Sequence, residues 1–191
     1  MISHPFNELR LRRLIRERIR QETSKKFNWN EFLRLSDLDD IVEYASIRLK
    51  ELGEGSSRIV FTLTSKSVLK IALSEKGIEQ NQLEIKKFKQ LKSLPAITKI
   101  FKSDEKYFHW IVAELVKPLS SDDEFEKITG VNLDDFATVH AKIRHENNNS
   151  FIEMLRELLS ANVITNLRET LYYEQWGTNV DGELRLLDYG W

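Results

Sequence analysis

Leu52-Gly53-Glu54-Gly55-Ser56-Ser57-Arg58-Ile59-Val60, followed closely by Val68-Leu69-Lys70-Ile71-Ala72, decides how this chain is read. Glu51 to Ser57 has the glycine, serine and acidic residues of a turn. On its N-terminal side, Ile47, Leu49 and Leu52 alternate with polar residues, which predicts a strand. Arg58 to Leu63 predicts a second strand. Ser65-Lys66-Ser67 turns the chain into a third, Val68 to Leu73. Three consecutive strands with short connections make an antiparallel meander.

Downstream, the apolar period changes to that of a helix. Ile78 to Leu91 is predicted helical, with Ile78, Leu83, Phe88 and Leu91 as its buried residues and Pro95 beyond its end. Ile97 to Lys102 and Tyr107 to Val116 read as two further strands. The second contains the apolar run Trp110-Ile111-Val112-Ala113 and is expected to be central and buried. The fold class is therefore α+β: a five-stranded antiparallel sheet with one helix, followed by a helical part. After Pro118 the composition turns acidic, with eight Asp/Glu against four Lys/Arg between Glu114 and Glu146. Leu133 to Ile143 and Phe151 to Leu159 read as helices. A loop with Trp176-Gly177, a turn at Asp181-Gly182 and a strand from Leu184 to Leu187 lead into Asp188-Tyr189-Gly190.

Upstream, Asn28 to Tyr44 reads as helix, with Ser36 capping Asp37-Leu38-Asp39-Asp40. The first 26 residues carry eight Lys/Arg and three Asp/Glu, and Leu11, Leu14, Ile15 and Ile19 recur at helical spacing. This basic amphipathic helix is either a docking element or a surface helix with a solvated arginine face. As a docking element it would take a protein partner, an anionic surface or, through residues 8–26, nucleic acid. The predicted organisation is a helical extension over 1–45, the sheet-and-helix part over 46–117 and a helical part over 118–191.

Composition bounds the function. The 191 residues have a formal net charge of −1, so the chain as a whole has no nucleic-acid signature. There are no cysteines, which excludes disulfides, thiolate metal sites and cysteine nucleophiles. No apolar run approaches the roughly 20 residues of a membrane span. The start of the chain lacks the apolar block of a secretory signal, so a cytoplasmic location is expected.

The order of the signals points to chemistry. A glycine turn between two strands lets backbone approach a triphosphate that side chains would block. Lys70, 17 residues after Gly53, can reach the phosphates from the third strand. Such a lysine needs a carboxylate from the following helix: Glu84 is the choice, with Glu79 and Glu75 as competitors. Asp188, after a late strand, can hold a divalent metal on the phosphates. His140 and His145 lie five apart, a spacing that separates them on a helix, and they read as surface residues. Trp176 reads as a packing residue, and Trp191 as one that can dock back on the domain.

These segments together resemble protein kinases. Leu52 to Val60 resembles the glycine-rich loop, with Arg58 where the third glycine often stands. Val68-Leu69-Lys70-Ile71-Ala72 resembles the third-strand lysine motif. Trp110 to Pro118 is similar to the last N-lobe strand and hinge. Asp188-Tyr189-Gly190 stands in for Asp-Phe-Gly. More narrowly, Trp176-Gly177 before Leu186-Leu187-Asp188-Tyr189-Gly190 resembles small kinase-like proteins encoded by bacteriophages. The resemblance implies a kinase-like N-lobe and an abbreviated helical C-lobe ending at Asp-Tyr-Gly. It implies ATP and magnesium as ligands, with Gly53, Gly55, Lys70, Glu84 and the backbones of Glu114 and Val116 around the nucleotide. Ala113 would be the gatekeeper, Lys70 and Asp188 the catalytic pair, and Asp188 and Gln175 the metal ligands.

The chain departs from that pattern where catalysis is concentrated. Counting back from Asp188, the family's catalytic aspartate and metal-binding asparagine fall at Thr170 and Gln175. Thr170 cannot take a proton as a carboxylate does. Gln175 offers its amide oxygen one methylene further out, which near-ideal octahedral magnesium tolerates poorly. Glu169 can replace the missing carboxylate only if the register slips by one. The sequence ends one residue after Gly190, so no activation segment or peptide platform is expected. Two functional classes follow. One is a pseudokinase that serves as a binding, regulatory or virion structural module, in the host cytoplasm or on the virion if phage-encoded. The other is a phosphotransferase using Mg-ATP with a non-standard catalytic loop.

Overall fold

A computed structural model of the chain describes residues 26–132, 139, 143, 149–164, 167 and 171–187. Its elements are α1 (Trp29–Phe32), α2 (Leu38–Arg48), β1 (Lys50–Glu54), β2 (Arg58–Thr62), β3 (Ser67–Ala72), α3 (Glu75–Leu91), β4 (Ile100–Ser103) and β5 (Trp110–Glu114). They continue with β6 (Val116–Pro118), α4 (Asp122–Thr129), α5 (Ser150–Ser160), a 3-10 turn (Tyr173–Gln175), β7 (Trp176–Asn179) and β8 (Leu184–Leu186). The chain is α+β, with a five-stranded antiparallel sheet in the order β1-β2-β3-β5-β4 and a three-stranded sheet in the order β6-β7-β8. The expected buried strand is β5, flanked on both sides, with every residue buried. No helix among the described residues is long and apolar enough to cross a membrane.

The chain divides into two compact units. One holds the described residues through Asn81 together with Asp104–Val112; the other holds Gln82–Ser103 and the described residues from Ala113 onward. The core of the first lies on one face of the meander. Ile59 and Phe61 of β2 and Leu69 and Ile71 of β3 point to that face, as the period of two requires. Ile41, Val42 and Ala45 of α2 and Phe32 of α1 cover them. Trp110 joins from β5, its ring 5.4 Å from Phe32 and 5.7 Å from Trp29, both tilted away from parallel as aromatic quadrupoles prefer. Residues 27–49 thus supply much of the core beneath the sheet.

The core of the second unit centres on Trp176, which is fully buried. Its ring meets Phe151 of α5 edge-on at 5.1 Å and Phe125 of α4 at 6.5 Å. Both helices begin at side-chain caps. Ser121 Oγ accepts from the Glu124 amide, and Asn149 Oδ1 accepts from the Phe151 and Ile152 amides. Gly130, at φ 69°, ends α4 in the left-handed conformation that suits glycine.

Local details depart from the sequence-based expectation. Asp37, not Ser36, caps α2: its Oδ1 accepts from the amides of Asp39 and Asp40 at 2.9 and 3.3 Å. Ile47 ends up helical, because α2 runs to Arg48 before the chain extends into β1. In α3, Leu83 is exposed, while Gly77, Asn81, Glu84 and Ile85 are buried. Trp176-Gly177 begins a strand rather than forming a loop. Gly177 is required there, since a Cβ would lie 2.6 Å from the Lys117 carbonyl oxygen and from Val116 Cγ1 on β6. The predicted helices over 1–26 and 133–143 lie wholly or largely outside the described residues, as do His140 and His145.

Candidate functional site

The meander places two of the predicted site residues, Gly53 and Lys70, in one row across the sheet. Gly53 of β1 pairs with Val60 of β2, and Val60 pairs with Lys70 of β3. The row lies on the sheet face opposite Ile59, Phe61, Leu69 and Ile71, since strand neighbours alternate sides. Lys70 is the half-buried member of an otherwise buried strand. Val68 and Ala72, both buried, flank it on the same face. A bulge between Glu51 and Gly53 shifts the β1 register just before the row.

The tip of the β1–β2 hairpin is closed by backbone. The Gly55 amide donates to the Arg58 carbonyl at 2.9 Å, and the Leu73 amide donates to the Ser57 carbonyl at 2.7 Å. The two hairpin glycines are not explained by this geometry. Neither has a left-handed φ. A Cβ at Gly53 would meet nothing within 4 Å, and one at Gly55 only the Arg58 carbonyl oxygen, at 3.7 Å. The fold would accept a side chain at either position. What their absence leaves is open space over the hairpin, beside the row that leads to Lys70.

The remaining described candidates belong to the second unit. Glu84 is buried on α3, whereas its competitors Glu75 and Glu79 are exposed. Val116 lies in β6, opposite Asn179 of β7. The Glu114 amide donates to the Lys99 carbonyl at 2.8 Å. Gln175 closes the 3-10 turn, and its carbonyl accepts from the Leu187 amide at 2.8 Å. Gln175 is therefore held beside the residue that immediately precedes Asp188. Asp188 itself, with Glu169, Thr170, Tyr189, Gly190 and Trp191, lies outside the described residues. Among the described residues no group of three or more His, Asp or Glu is placed to hold a metal ion.

The Glu114 side chain sits in a buried polar cluster that the sequence reading did not anticipate. Arg185 Nε of β8 donates to Glu114 Oε2 at 2.9 Å, and Asn179 Nδ2 donates to Glu114 Oε1 at 2.7 Å. The Lys99 amide adds a 3.3 Å contact to Oε2. Glu183 closes the cluster by accepting from Asn179 Nδ2 at 2.8 Å and from Arg185 Nη2. Burial pushes the Glu114 carboxyl up. The hydrogen bonds from Arg185, Asn179 and the Lys99 amide outweigh it and leave the group below the ordinary glutamate value. Asn179 and Arg185 likewise lower Glu183. The available signal was a carboxylate ending the apolar run Trp110 to Ala113, since a buried acid requires a cation.

No protein-family model matches the sequence, and a search of curated proteins finds no significant relative.

Proposed function

We propose that the chain is a kinase-like pseudokinase that binds a nucleoside triphosphate over the β1–β2 hairpin and the Lys70 face of its sheet. One observation carries this reading. Gly53 and Gly55 are demanded neither by backbone conformation nor by packing, yet they leave open space beside a row that ends in a lysine cation. A polyphosphate fits this combination: it needs close backbone approach and a positive charge within reach. The order strand, strand, strand, helix, strand, strand supports the kinase-like assignment.

Gly53, Gly55 and Lys70 would hold the nucleotide. The resemblance further implies magnesium, with Gln175 and Asp188 as its protein ligands. Thr170 and Gln175, at the positions of the base and the second metal ligand, favour binding over phosphoryl transfer. The resemblance to phage-encoded proteins suits a regulatory or virion module. The active phosphotransferase remains the competing class, since Lys70 and Asp188 are both present.

The test is a thermal melt with and without Mg-ATP. Ligand at 100 times its dissociation constant stabilises by about 2.7 kcal/mol, which raises the midpoint of a chain this size by about 5–10 °C. A metal-dependent rise that is lost on Lys70→Ala is expected. No rise at millimolar nucleotide overturns the reading. Transfer of labelled phosphate to added substrates would instead favour the enzyme.

A further inference from the structure

The hairpin tip is fastened to α3. Only Leu73 and Ser74 separate the end of β3 from the start of α3, so the helix begins directly against the tip. Gly77, in the first turn of α3, is buried, and a Cβ there would stand 2.1 Å from the Ser57 carbonyl oxygen. Helix backbone and hairpin backbone are thus in contact through a residue that can only be glycine. One turn on, Gln80 Oε1 accepts from Ser57 Oγ at 2.7 Å. Next to it, Asn81 is fully buried. It donates through Nδ2 to the Phe108 carbonyl at 2.8 Å and accepts from Arg58 Nη1 at 3.5 Å. Phe108 holds a φ of 57°, and its amide donates to the Asp104 carbonyl, so the carbonyl that Asn81 grips belongs to a fixed turn.

A flexible glycine turn would need none of these contacts. We infer that Gln80 and Asn81 are positioning residues, and that the hairpin tip and the first turns of α3 open and close as one body. The tip would then be preset rather than shaped by its ligand. The coupling follows from the contacts alone; its consequence for a ligand rests on the nucleotide reading above.

The experiment is amide hydrogen exchange on the full chain, read at Gly55 and Leu73, whose amides close the tip, alongside the dissociation constant for Mg-ATP. Gln80→Ala is expected to speed exchange at both amides several-fold without changing the β2–β3 ladder, and to weaken nucleotide binding several-fold. Gln80→Glu keeps an acceptor for Ser57 Oγ and should behave as the native chain. Ser57→Ala combined with Gln80→Ala should add little to either alone, because both remove one bond. Unchanged exchange at Gly55 and Leu73 in Gln80→Ala overturns the coupling. Faster exchange with an unchanged dissociation constant overturns the positioning role. If the native chain binds no nucleotide, the functional reading falls, and the exchange arm by itself decides the coupling.

Discussion

The hairpin anchor and the Glu114 cluster solve similar problems with different chemistry. At the anchor, Ser57, Gln80 and Asn81 tie backbone to helix through neutral groups, with Arg58 at the margin. At the cluster, Glu114 and Arg185 are both charged and both buried, and Asn179 occupies a further lone pair of the carboxylate. A neutral hydrogen bond contributes about 0.5–1.5 kcal/mol net and is indifferent to pH. A buried ion pair contributes little net stability over an apolar substitute, but losing one partner strands the other charge. The first arrangement can therefore loosen by degrees, whereas the second is close to all or nothing.

The sharpest way to break this contrast is Glu114→Ala, which leaves Arg185 buried without its main partner. We expect a loss of about 3–5 kcal/mol, read by urea unfolding. A loss under about 1 kcal/mol would put the cluster in the same class as the anchor.

Gly77→Ala comes next. It forces a methyl group against the Ser57 carbonyl, and overpacking of this kind costs about 1–3 kcal/mol. An undisturbed Gly77→Ala chain would mean that helix and tip are not in rigid contact.

Acid separates the two regions without a change in size. The folded Glu114 carboxyl titrates below its unfolded value of about 4.3. Its contribution is therefore complete above that pH and is lost as pH falls through the lower folded value. Glu114→Gln should flatten this acid limb of stability, and Gln80→Ala should leave it unchanged. An identical limb in Glu114→Gln would assign acid sensitivity to other carboxylates.

The smallest effect on stability is the most informative about function. Gly53→Ala meets open space, so stability should hold or rise by about 0.4–1 kcal/mol while the Mg-ATP-dependent rise in midpoint is reduced. A destabilised Gly53→Ala with normal nucleotide response would return that glycine to a purely structural role.

Much of the sheet was legible. β2, β3 and the buried β5 follow from β-branched residues bounded by turn residues, and α3 and α5 from helical periodicity. The meander was implied by its short turns, whereas the row from Gly53 to Lys70 depends on a bulge between Glu51 and Gly53 that no turn signal announced. Local chemistry was harder to rank. Ser36 and Asp37 are both competent caps, and only the backbone path selected Asp37. Leu83 and Ile85 both suit an apolar stripe, and packing chose Ile85.

By itself, then, the sequence determined the β1-β2-β3 meander, the glycine hairpin and the placement of Lys70 on the third strand, since these depend on neighbours close along the chain. Tertiary structure alone decided that Gly77 abuts Ser57, that Asn81 reaches Phe108 and that Arg185 of β8 answers Glu114 of β5. The last two contacts join residues 27 and 71 positions apart. No local propensity encodes such pairs. They form because burial leaves each polar group without water, and only a partner brought in by the fold can replace it.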